Sequence, residues 1–316
     1  MNSSLPLRVF LISGCLSLPA LIASARVERV VEKTFSVSAA GILRLETQGG
    51  EIRVMPSNDS MVKVTARQRF RTSSETEADE VLKKLDLVIE QNGNDVRAVA
   101  RYERAPWGFH FGSWPPVQVD FTVSAPANFA TDLHTSGGSI TVGDLNGKVN
   151  ARTSGGSIKL GKIGAEIDAR TSGGSITLDE ANGPVKAETS GGNITAGCVA
   201  GPAELATSGG SIKINSVADS IRAHTSGGSI RAGIAGPLKE DSTLSTSGGS
   251  VRVTVAKTAA FRLDASTSGG GVDAEGLTIT IDKGSHGKTR LAGTVNGGGP
   301  ALKLRTSGGN IVVRVE

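Results

Sequence analysis

Residues 139–192 consist of three consecutive units of equal length, SITVGDLNGKVNARTSGG, SIKLGKIGAEIDARTSGG and SITLDEANGPVKAETSGG. The closing tetrapeptide TSGG occurs nine times, starting at Thr135, Thr153, Thr171, Thr189, Thr207, Thr225, Thr246, Thr267 and Thr306. These starting numbers rise by 18 in the first five steps, by 21 in the next two and by 39 in the last, which contains a degenerate copy, TVNGGG (294–299). A fixed period of this length predicts a solenoid, in which each unit stacks on its neighbours.

Within one unit, the apolar residues fall into two short runs with a spacing of two, Ile140 with Val142 and Val149 with Ala151. A period of two indicates strands rather than helices. Apolar residues do not recur every six positions, where Asn146 stands, and this excludes a left-handed hexapeptide helix. We therefore predict an all-β fold: a single-stranded β-solenoid (β-helix) of about ten coils, each about 4.8 Å above the last.

The Gly-Gly pairs lie where the two-residue alternation has to break, between Thr153 of one strand and Ile158 of the next. We expect corners there, because glycine tolerates positive φ and a close approach of neighbouring coils. Stacked Thr and Ser hydroxyls are expected to hydrogen-bond along the column. The predicted structural corners are Gly137, Gly138, Gly155, Gly156, Gly173, Gly174, Gly191, Gly192, Gly209, Gly210, Gly227 and Gly228.

One outward-facing column supports a register that follows the repeat. Its members in successive units are Asn150, Asp168, Lys186, Glu204 and Arg222. Opposite charges on neighbouring strands are favourable and like charges are unfavourable, so the alternation of sign is expected for stacked coils. We interpret this column as a solvated structural face.

Residues 1–25 have the pattern of an export signal. Arg8 precedes the apolar stretch VFLISGCLSLPALIA, which ends at a small-residue site, Ala23-Ser24-Ala25. We predict cleavage after Ala25 and a mature protein in the periplasm, at the cell surface or in the medium. A lipoprotein box ending at Cys15 is the alternative. Without this segment Cys198 is the remaining cysteine, so no intramolecular disulfide is expected.

Residues 26–130 depart from the repeat and are predicted to form a strand-rich N-terminal cap on the solenoid domain, 131–316. Within the cap, SSETEADEVLKKL (73–85) predicts one short helix with Ser74 as its N-cap. The stretch LDLVIEQNGNDVRAVARYE (85–103) predicts a hairpin that turns at Asn92-Gly93. Such a block covers the open first coil of a solenoid.

The TSGG-I coils, KTAAFRLDASTSGG (257–270) and NGGGPALKLRTSGGNIVV (296–313) resemble the bacterial putative-adhesin domain family. The resemblance covers most of the chain after residue 25. It implies an exported β-solenoid of largely uncharacterised function and carries over no catalytic residues. Many relatives have Gly-Asp where this chain has Gly138-Ser139 and Gly192-Asn193.

No combination of residues in the sequence predicts catalysis, a metal site or a cofactor. His134 and His224 share a column but are five coils apart, about 24 Å, which excludes a shared metal ion. The carboxylates are scattered among columns rather than clustered, as a polysaccharide-active enzyme would require. A formal charge of +4 over 316 residues is too small to indicate nucleic-acid binding.

The candidate binding patch is aromatic. Six of the 11 aromatic residues lie between positions 102 and 121, around RAPWGFHFGSWPP (104–116). These rings either fill the core of the cap or form an exposed patch that binds glycan, envelope surface or a partner protein. The patch residues are Tyr102, Trp107, Phe109, Phe111 and Trp114.

These features predict a non-enzymatic, exported adhesin or envelope scaffold that binds glycan or protein. An assembly or signalling partner in the cell envelope is the alternative. An ice-binding solenoid and a polysaccharide-active β-helix enzyme rank lower. The ice-binding alternative needs an unbroken outward Thr column, and basic residues such as Lys159 and Lys213 interrupt Thr141, Thr177 and Thr195.

The last strand, within 310–316, has no residues after it that could act as a cap. An uncapped strand exposes unpaired backbone groups, which favour pairing with another chain. We expect this C-terminal edge either to be covered by KGSHGKTRLAGTV (283–295) or to serve for self-association or partner docking.

Overall fold

The computed structural model describes residues 26–38, 40–102 and 116–316. Within these residues the chain forms 27 strands and one helix, α1 (Glu75–Leu82), with strands numbered in chain order. The strands make two sheets of 13 and 14 members, here called sheet A and sheet B, whose inner faces share one hydrophobic core. The predicted all-β solenoid is confirmed.

The members of sheet A, in spatial order, are β1 (Glu28–Ser36), β4 (Met61–Phe70), β7 (Val117–Pro126), β3 (Ile52–Ser57), β9 (Ile140–Val142), β11 (Ile158–Ile163), β13 (Ile176–Ala181), β15 (Ile194–Val199), β17 (Ile212–Val217), β19 (Ile230–Ile234), β21 (Val251–Val255), β27 (Ile311–Val315) and β23 (Val272–Glu275). The members of sheet B are β24 (Ile279–Gly287), β25 (Arg290–Val295), β22 (Phe261–Thr267), β26 (Ala301–Thr306), β20 (Ser242–Thr246), β18 (Ile221–Thr225), β16 (Ala203–Thr207), β14 (Val185–Thr189), β12 (Ile167–Arg170), β10 (Val149–Thr153), β8 (Ala130–Thr135), β2 (Ile42–Thr47), β6 (Asp95–Tyr102) and β5 (Leu85–Asn92).

Most of these strands are parallel and stack as two-strand levels. In sheet A, β1 and β4 are antiparallel and the other eleven of the 13 strands are parallel. In sheet B, β5, β24 and β25 are antiparallel and the other eleven of the 14 strands are parallel. Each level is one strand of sheet B followed along the chain by one strand of sheet A. The described residues therefore form eleven levels, numbered here from the N-terminal end, against the predicted ten or so.

The register follows the repeat. Val149 pairs with Ile167 and Ile167 with Val185, one short repeat further along the chain each time, and Ile230 pairs with Val251, one long repeat further. Inward side chains thus stack on the same position of the next level, where they are fully buried. Burying each such Ile or Val stabilises the fold by about 1.5–3 kcal/mol, so the period of two builds the core.

Of the two causes expected for the glycine corners, the structure shows the close approach of neighbouring coils and not the positive φ. The glycines with positive φ in the described chain are Gly93, Gly276, Gly297, Gly298 and Gly299, and none belongs to a TSGG pair. The constraint at the corner is instead the distance to the level below. A Cβ on Gly174 would lie 2.0 Å from the carbonyl oxygen of Gly156, whereas one on Gly173 would be 3.4 Å from its nearest atom. The second glycine of each pair is required by this close approach. The first is not required at Gly173, but the space narrows toward the C-terminal levels, where a Cβ on Gly269 would lie 2.9 Å from the carbonyl oxygen of Ser307.

The TSGG threonines fasten successive levels. Thr171 is 6% exposed, and its Oγ1 donates to the carbonyl of Gly156 at 2.8 Å while accepting from the N–H of Gly174 at 3.3 Å. The sequence predicts hydrogen bonds between stacked hydroxyl groups. The threonines instead bond to the backbone of the glycines. The residues that follow the glycine pairs form a second hydrogen-bonded column. In it, the backbone N–H of Ser175 donates to Ser157 Oγ of the level below at 3.2 Å.

The region predicted as a cap contributes to the stack itself. The strands β2 and β3 form level 2, between level 1 (β6 and β7) and level 3 (β8 and β9), so the first coil in sequence is covered on both sides. The antiparallel strands β1, β4 and β5 lie outside level 1. The helix is as predicted, since Ser74 Oγ accepts from the N–H of Glu77. The hairpin also forms, but its turn consists of Gly93 and Asn94, one residue later than predicted, because Asn92 pairs with Asp95.

The C-terminal end contradicts the expected order of coils. The last strand, β27, pairs with β21 on one side and with β23 on the other, so it is an interior strand. Val251 and Val272 both pair with Ile311, which places the last coil in sequence at level 10, below the coil of β22 and β23 at level 11. An exposed C-terminal edge at 310–316, and self-association through it, are therefore wrong.

The segment expected to cover that strand lies elsewhere. Residues 283–295 belong to β24 and β25, a hairpin that extends sheet B beyond β22 in antiparallel fashion. The degenerate copy TVNGGG is likewise not a stacked coil: Thr294 pairs antiparallel with Arg262 and Thr280, and its glycines form a turn with positive φ. This hairpin supplies the chain length that lets β26 return between β20 and β22.

The alternating charged column has the predicted register, since Lys186 pairs with both Asp168 and Glu204 across neighbouring strands. Its ammonium group contacts Glu188 and Glu204, each at 3.1 Å. The hydrogen bond to Glu188, followed by that to Glu204, raises the pKa of Lys186. The column therefore shares its ion pairs with the neighbouring outward column.

We expect Lys186→Glu to lower the urea midpoint of unfolding more than Lys186→Gln does. Both variants lose the two ion pairs, but the glutamate adds a carboxylate beside Asp168, Glu188 and Glu204. Equilibrium unfolding of both variants at low salt measures the difference, and about 1 M salt should reduce it by screening. Equal midpoints at low salt would contradict the stacked register.

Candidate functional site

A groove of about 550 Å³ runs along the outside of the TSGG corners. It extends from His134 at level 3 to His224 and Ser226 at level 8. Five spacings of about 4.8 Å make this length about 24 Å. One wall is formed by the corners, and the other by the last outward residues of the sheet B strands.

The corner wall presents a row of serine hydroxyls. Because each TSGG threonine is turned inward to fasten the levels, the serine that follows it is turned outward and exposed. No protein group among the described residues hydrogen-bonds to these serine side chains, which leaves their donors and acceptors directed to solvent. The row that lines the groove is Ser154, Ser172, Ser190, Ser208 and Ser226.

The opposite wall is formed by a single column of sheet B. The strand register orders its members as His134, Arg152, Arg170, Glu188, Ala206 and His224. Arg152 and Arg170 are neighbours of like charge, and Asp168 holds both, at 3.1 and 2.9 Å. Arg170 also contacts Glu188 at 3.4 Å. These ion pairs fix two guanidinium groups side by side at levels 4 and 5 of the groove.

Two histidines mark the ends of the groove. His224 Nδ1 lies 2.9 Å from Ser245 Oγ, which orients the ring along the column. His134 pairs in register with Glu46 of level 2. The bidentate hydrogen bonds from Arg101 lower the pKa of Glu46, and the nearby His134 adds a smaller lowering. The five level spacings that separate the two rings agree with the separation expected from the sequence.

The chemistry of the groove is that of hydrogen bonding at regular intervals. Serine hydroxyls recur at each level from 4 to 8, and the opposite column adds two guanidinium groups, one carboxylate and two imidazoles. No Phe, Tyr or Trp of the described residues lines the groove. Among the described residues, no cluster of three or more His, Cys, Asp or Glu could hold a metal ion. The arrangement suits a long polar ligand that lies along the stack.

The predicted aromatic patch falls mainly outside the described residues, because Trp107, Phe109, Phe111 and Trp114 all belong to 103–115. Tyr102 ends β6, and its ring is half-buried against the core. Its N–H donates to Gln48 Oε1 at 2.9 Å and its carbonyl accepts from Gln48 Nε2 at 3.4 Å. In sequence, 103–115 connects β6 to β7, the connection that TSGG makes in the central levels. The aromatic patch remains a prediction.

The sequence interpretation did not identify the groove, since TSGG was assigned a structural role only. One signal was available: a repeated serine beside a repeated buried threonine, preceded by outward Arg152, Arg170 and Glu188. The corner glycines of the sequence analysis lie at the backbone of this wall, and their second members bring the levels together.

The region of the chain that matches a known protein family includes nearly all of the stacked levels. A family model described as Toastrack DUF4097 matches residues 42–314, from β2 to β27. The chain belongs to this Toastrack family. The resemblance noted from the TSGG coils is thereby confirmed, and the match includes the first and the last coil in sequence.

Solved structures similar to this Toastrack chain share little sequence with it. A structure described as a putative lipid binding protein from Parabacteroides distasonis is 14% identical, with a TM-score of 0.46 over 91% of this chain and 97% of that one. A putative adhesin from Bacteroides fragilis is 10% identical, with a TM-score of 0.40 and the same coverages. A putative cell adhesion protein from Clostridium sporogenes is 10% identical, with a TM-score of 0.23 over 92% and 100% of the two chains.

No curated protein matches the Toastrack chain significantly. Within the part of the chain that the structure describes, no helix is long and apolar enough to cross a bilayer.

Proposed function

We propose that this Toastrack protein is an exported, non-enzymatic β-solenoid of adhesin type that binds a linear glycan along the corner groove. The observation that carries the proposal is the continuity of the groove over six levels, with an exposed serine hydroxyl repeated at each level from 4 to 8. A ligand that matches a repeated set of groups has a repeat of its own, as a polysaccharide chain does.

The polarity of the groove favours glycan over protein as the ligand. The centres of protein interfaces are enriched in aromatic and large apolar side chains. Among the described residues, no Phe, Tyr, Trp or large aliphatic side chain lines this groove, and Ala206 is the apolar residue of its sheet B wall. The exposed large apolar side chains of the described residues are Val30, Met55, Met61 and Ile281, none of which lines the groove. Sugar hydroxyls donate and accept hydrogen bonds, as do the serine row and the Asp168-held guanidinium groups.

Export is supported by residues 1–25, whose basic, apolar and small-residue segments are typical of a cleaved signal. A surface or periplasmic location places the groove where extracellular or envelope polysaccharides are available. The experiments below therefore use the mature protein that begins at Arg26.

A glycan array followed by titration of the best ligand tests the proposal. We expect the double variant Arg152→Gln/Arg170→Gln to bind about tenfold more weakly, a loss of about 1.4 kcal/mol. The matched control, Arg222→Gln/Lys303→Gln, removes the same charge from sheet B outside the groove and should bind as the unsubstituted protein does. Far-UV circular dichroism checks that both variants keep the fold.

Two results would contradict glycan binding in the groove. Equal affinity of the groove variant and the control would show that the two guanidinium groups do not contact the ligand. Loss of binding in Trp107→Ala/Trp114→Ala, with the groove variant unaffected, would place the ligand on the aromatic segment instead. That result would support the patch predicted from the sequence.

A further inference from the structure

Three basic side chains are stacked on the outer face of sheet A, away from the corner groove. Lys213 pairs in register with Arg231, and Arg231 with Arg252, so the three lie on neighbouring strands of levels 7, 8 and 9. The column is bounded by Thr195 at level 6 and Val312 at level 10. Neighbouring side chains on such strands are about 5 Å apart. This surface is called the basic ladder below.

The basic ladder has three cations in succession, whereas the column of Lys186 on sheet B alternates in charge. There, Lys186 contacts Glu188 and Glu204 on its own and the next strand. In the ladder, none of the three cations makes an ion pair with any carboxylate among the side chains that the structure describes. Like charges on neighbouring strands are unfavourable, so packing alone gives no reason for three of them in succession.

A second groove lies beside the ladder and adds a fourth cation. It has a volume of about 360 Å³ and includes Lys213, Arg231 and the exposed Arg314 of level 10. Thr254 lies between them and accepts a hydrogen bond from Arg314 Nε at 3.4 Å. Among the described residues, the exposed Glu316 is the one acidic residue in the lining. Three cations against one carboxylate give the groove a net positive charge.

We propose that the basic ladder binds a linear acidic polysaccharide, with successive carboxylate groups opposite Lys213, Arg231, Arg252 and Arg314. Lys213, Arg231 and Arg252 follow one another along the stack axis at the spacing of the strands. Arg314 continues the series at level 10 in the neighbouring outward column, because it pairs with Thr254, two residues beyond Arg252. This order suits a polymer whose charges follow one another along its length. Single-stranded nucleic acid sites combine cations with aromatic stacking platforms, and no aromatic side chain of the described residues lines this groove. The exposed large apolar side chains found in the described ranges also lie elsewhere, which disfavours insertion into a lipid surface.

The proposal is independent of the corner groove, because the two surfaces belong to different sheets and share no residue. The probe is a polygalacturonate oligomer of defined length, titrated into the mature protein by calorimetry. The variant is Lys213→Gln/Arg231→Gln/Arg252→Gln. The matched control is Lys148→Gln/Arg222→Gln/Lys303→Gln, which changes the net charge equally at positions within or directly before strands of sheet B.

We expect the ladder variant to bind polygalacturonate about tenfold more weakly than the unsubstituted protein, or about 1.4 kcal/mol. The control and the groove variant Arg152→Gln/Arg170→Gln should bind it as the unsubstituted protein does. Binding should weaken as salt is raised, because polyanion contacts release counterions and are screened.

Equal weakening in the ladder variant and its charge-matched control would overturn the proposal, since the effect would then be one of net charge. Equally tight binding of neutral dextran would also overturn it. A single-stranded oligonucleotide or vesicles of phosphatidylglycerol that bind more tightly than polygalacturonate, and lose binding in the ladder variant, would assign the surface to another class of anion and refute the polysaccharide.

Discussion

Gly174→Ala is expected to destabilise the protein by about 3 kcal/mol, at the upper end of the range for overpacking a close-packed site. The new Cβ would lie 2.0 Å from the carbonyl oxygen of Gly156, which real Cβ atoms do not approach. That oxygen accepts from Thr171 Oγ1 at 2.8 Å and therefore cannot move without breaking the fastening between the levels. The loss should appear as a lower urea midpoint.

Gly173→Ala is the matched control, one residue away in the same corner. Its Cβ would meet the carbonyl oxygen of Gly155 at 3.4 Å, an ordinary contact, and its φ is not in the positive region. We expect a change within about 1 kcal/mol of zero, because alanine also restricts the unfolded chain. Equal losses of stability at Gly173 and Gly174 would contradict the close approach as the cause. They would indicate instead that both positions need the backbone freedom of glycine.

Deletion of residues 311–316 is the second change with a large expected effect. It removes β27 from between β21 and β23 and leaves both strands with an unpaired side. The buried side chains of Ile311 and Val313 are lost with it, at about 1.5–3 kcal/mol each. We expect the last two levels to unfold and 257–310 to become sensitive to protease.

Removal of Glu316 alone is the control, because this exposed residue follows β27. It removes one hydrogen bond, from the N–H of Glu316 to the carbonyl of Val255, and leaves β27 in place. It should leave the protease pattern unchanged. Sedimentation adds a second readout, because a newly exposed edge at β21 favours association of chains. A deleted protein that is as protease-resistant and as monomeric as the control would contradict the interior position of β27.

The repeat was sufficient to predict the register but not the order of the levels at the two ends. A constant period specifies which positions stack, and the pairing of Val149 with Ile167 follows from it. Every TSGG unit presents a similar apolar pattern, so the pattern alone does not specify its neighbour. The hairpin of β24 and β25 and the early coil at 42–57 determine that choice through chain length and long-range pairing.

The corner illustrates a different limit of sequence reasoning. Two adjacent glycines are compatible with positive φ and with close approach, and only the position of the level below distinguishes them. The same geometry explains the two hydroxyl residues of TSGG. The threonine is buried because it fastens the levels, and the serine is left outside, where it lines the groove.

The dependence of affinity on glycan length tests the corner-groove proposal most directly. The mature protein would be titrated with oligomers of increasing length from the best polysaccharide on the array. The proposal predicts that affinity rises with each added sugar until the oligomer spans the groove, about 24 Å, and then becomes constant. A disaccharide that binds as tightly as the longest oligomer would show that the ligand occupies one local pocket, and would contradict binding along the six levels.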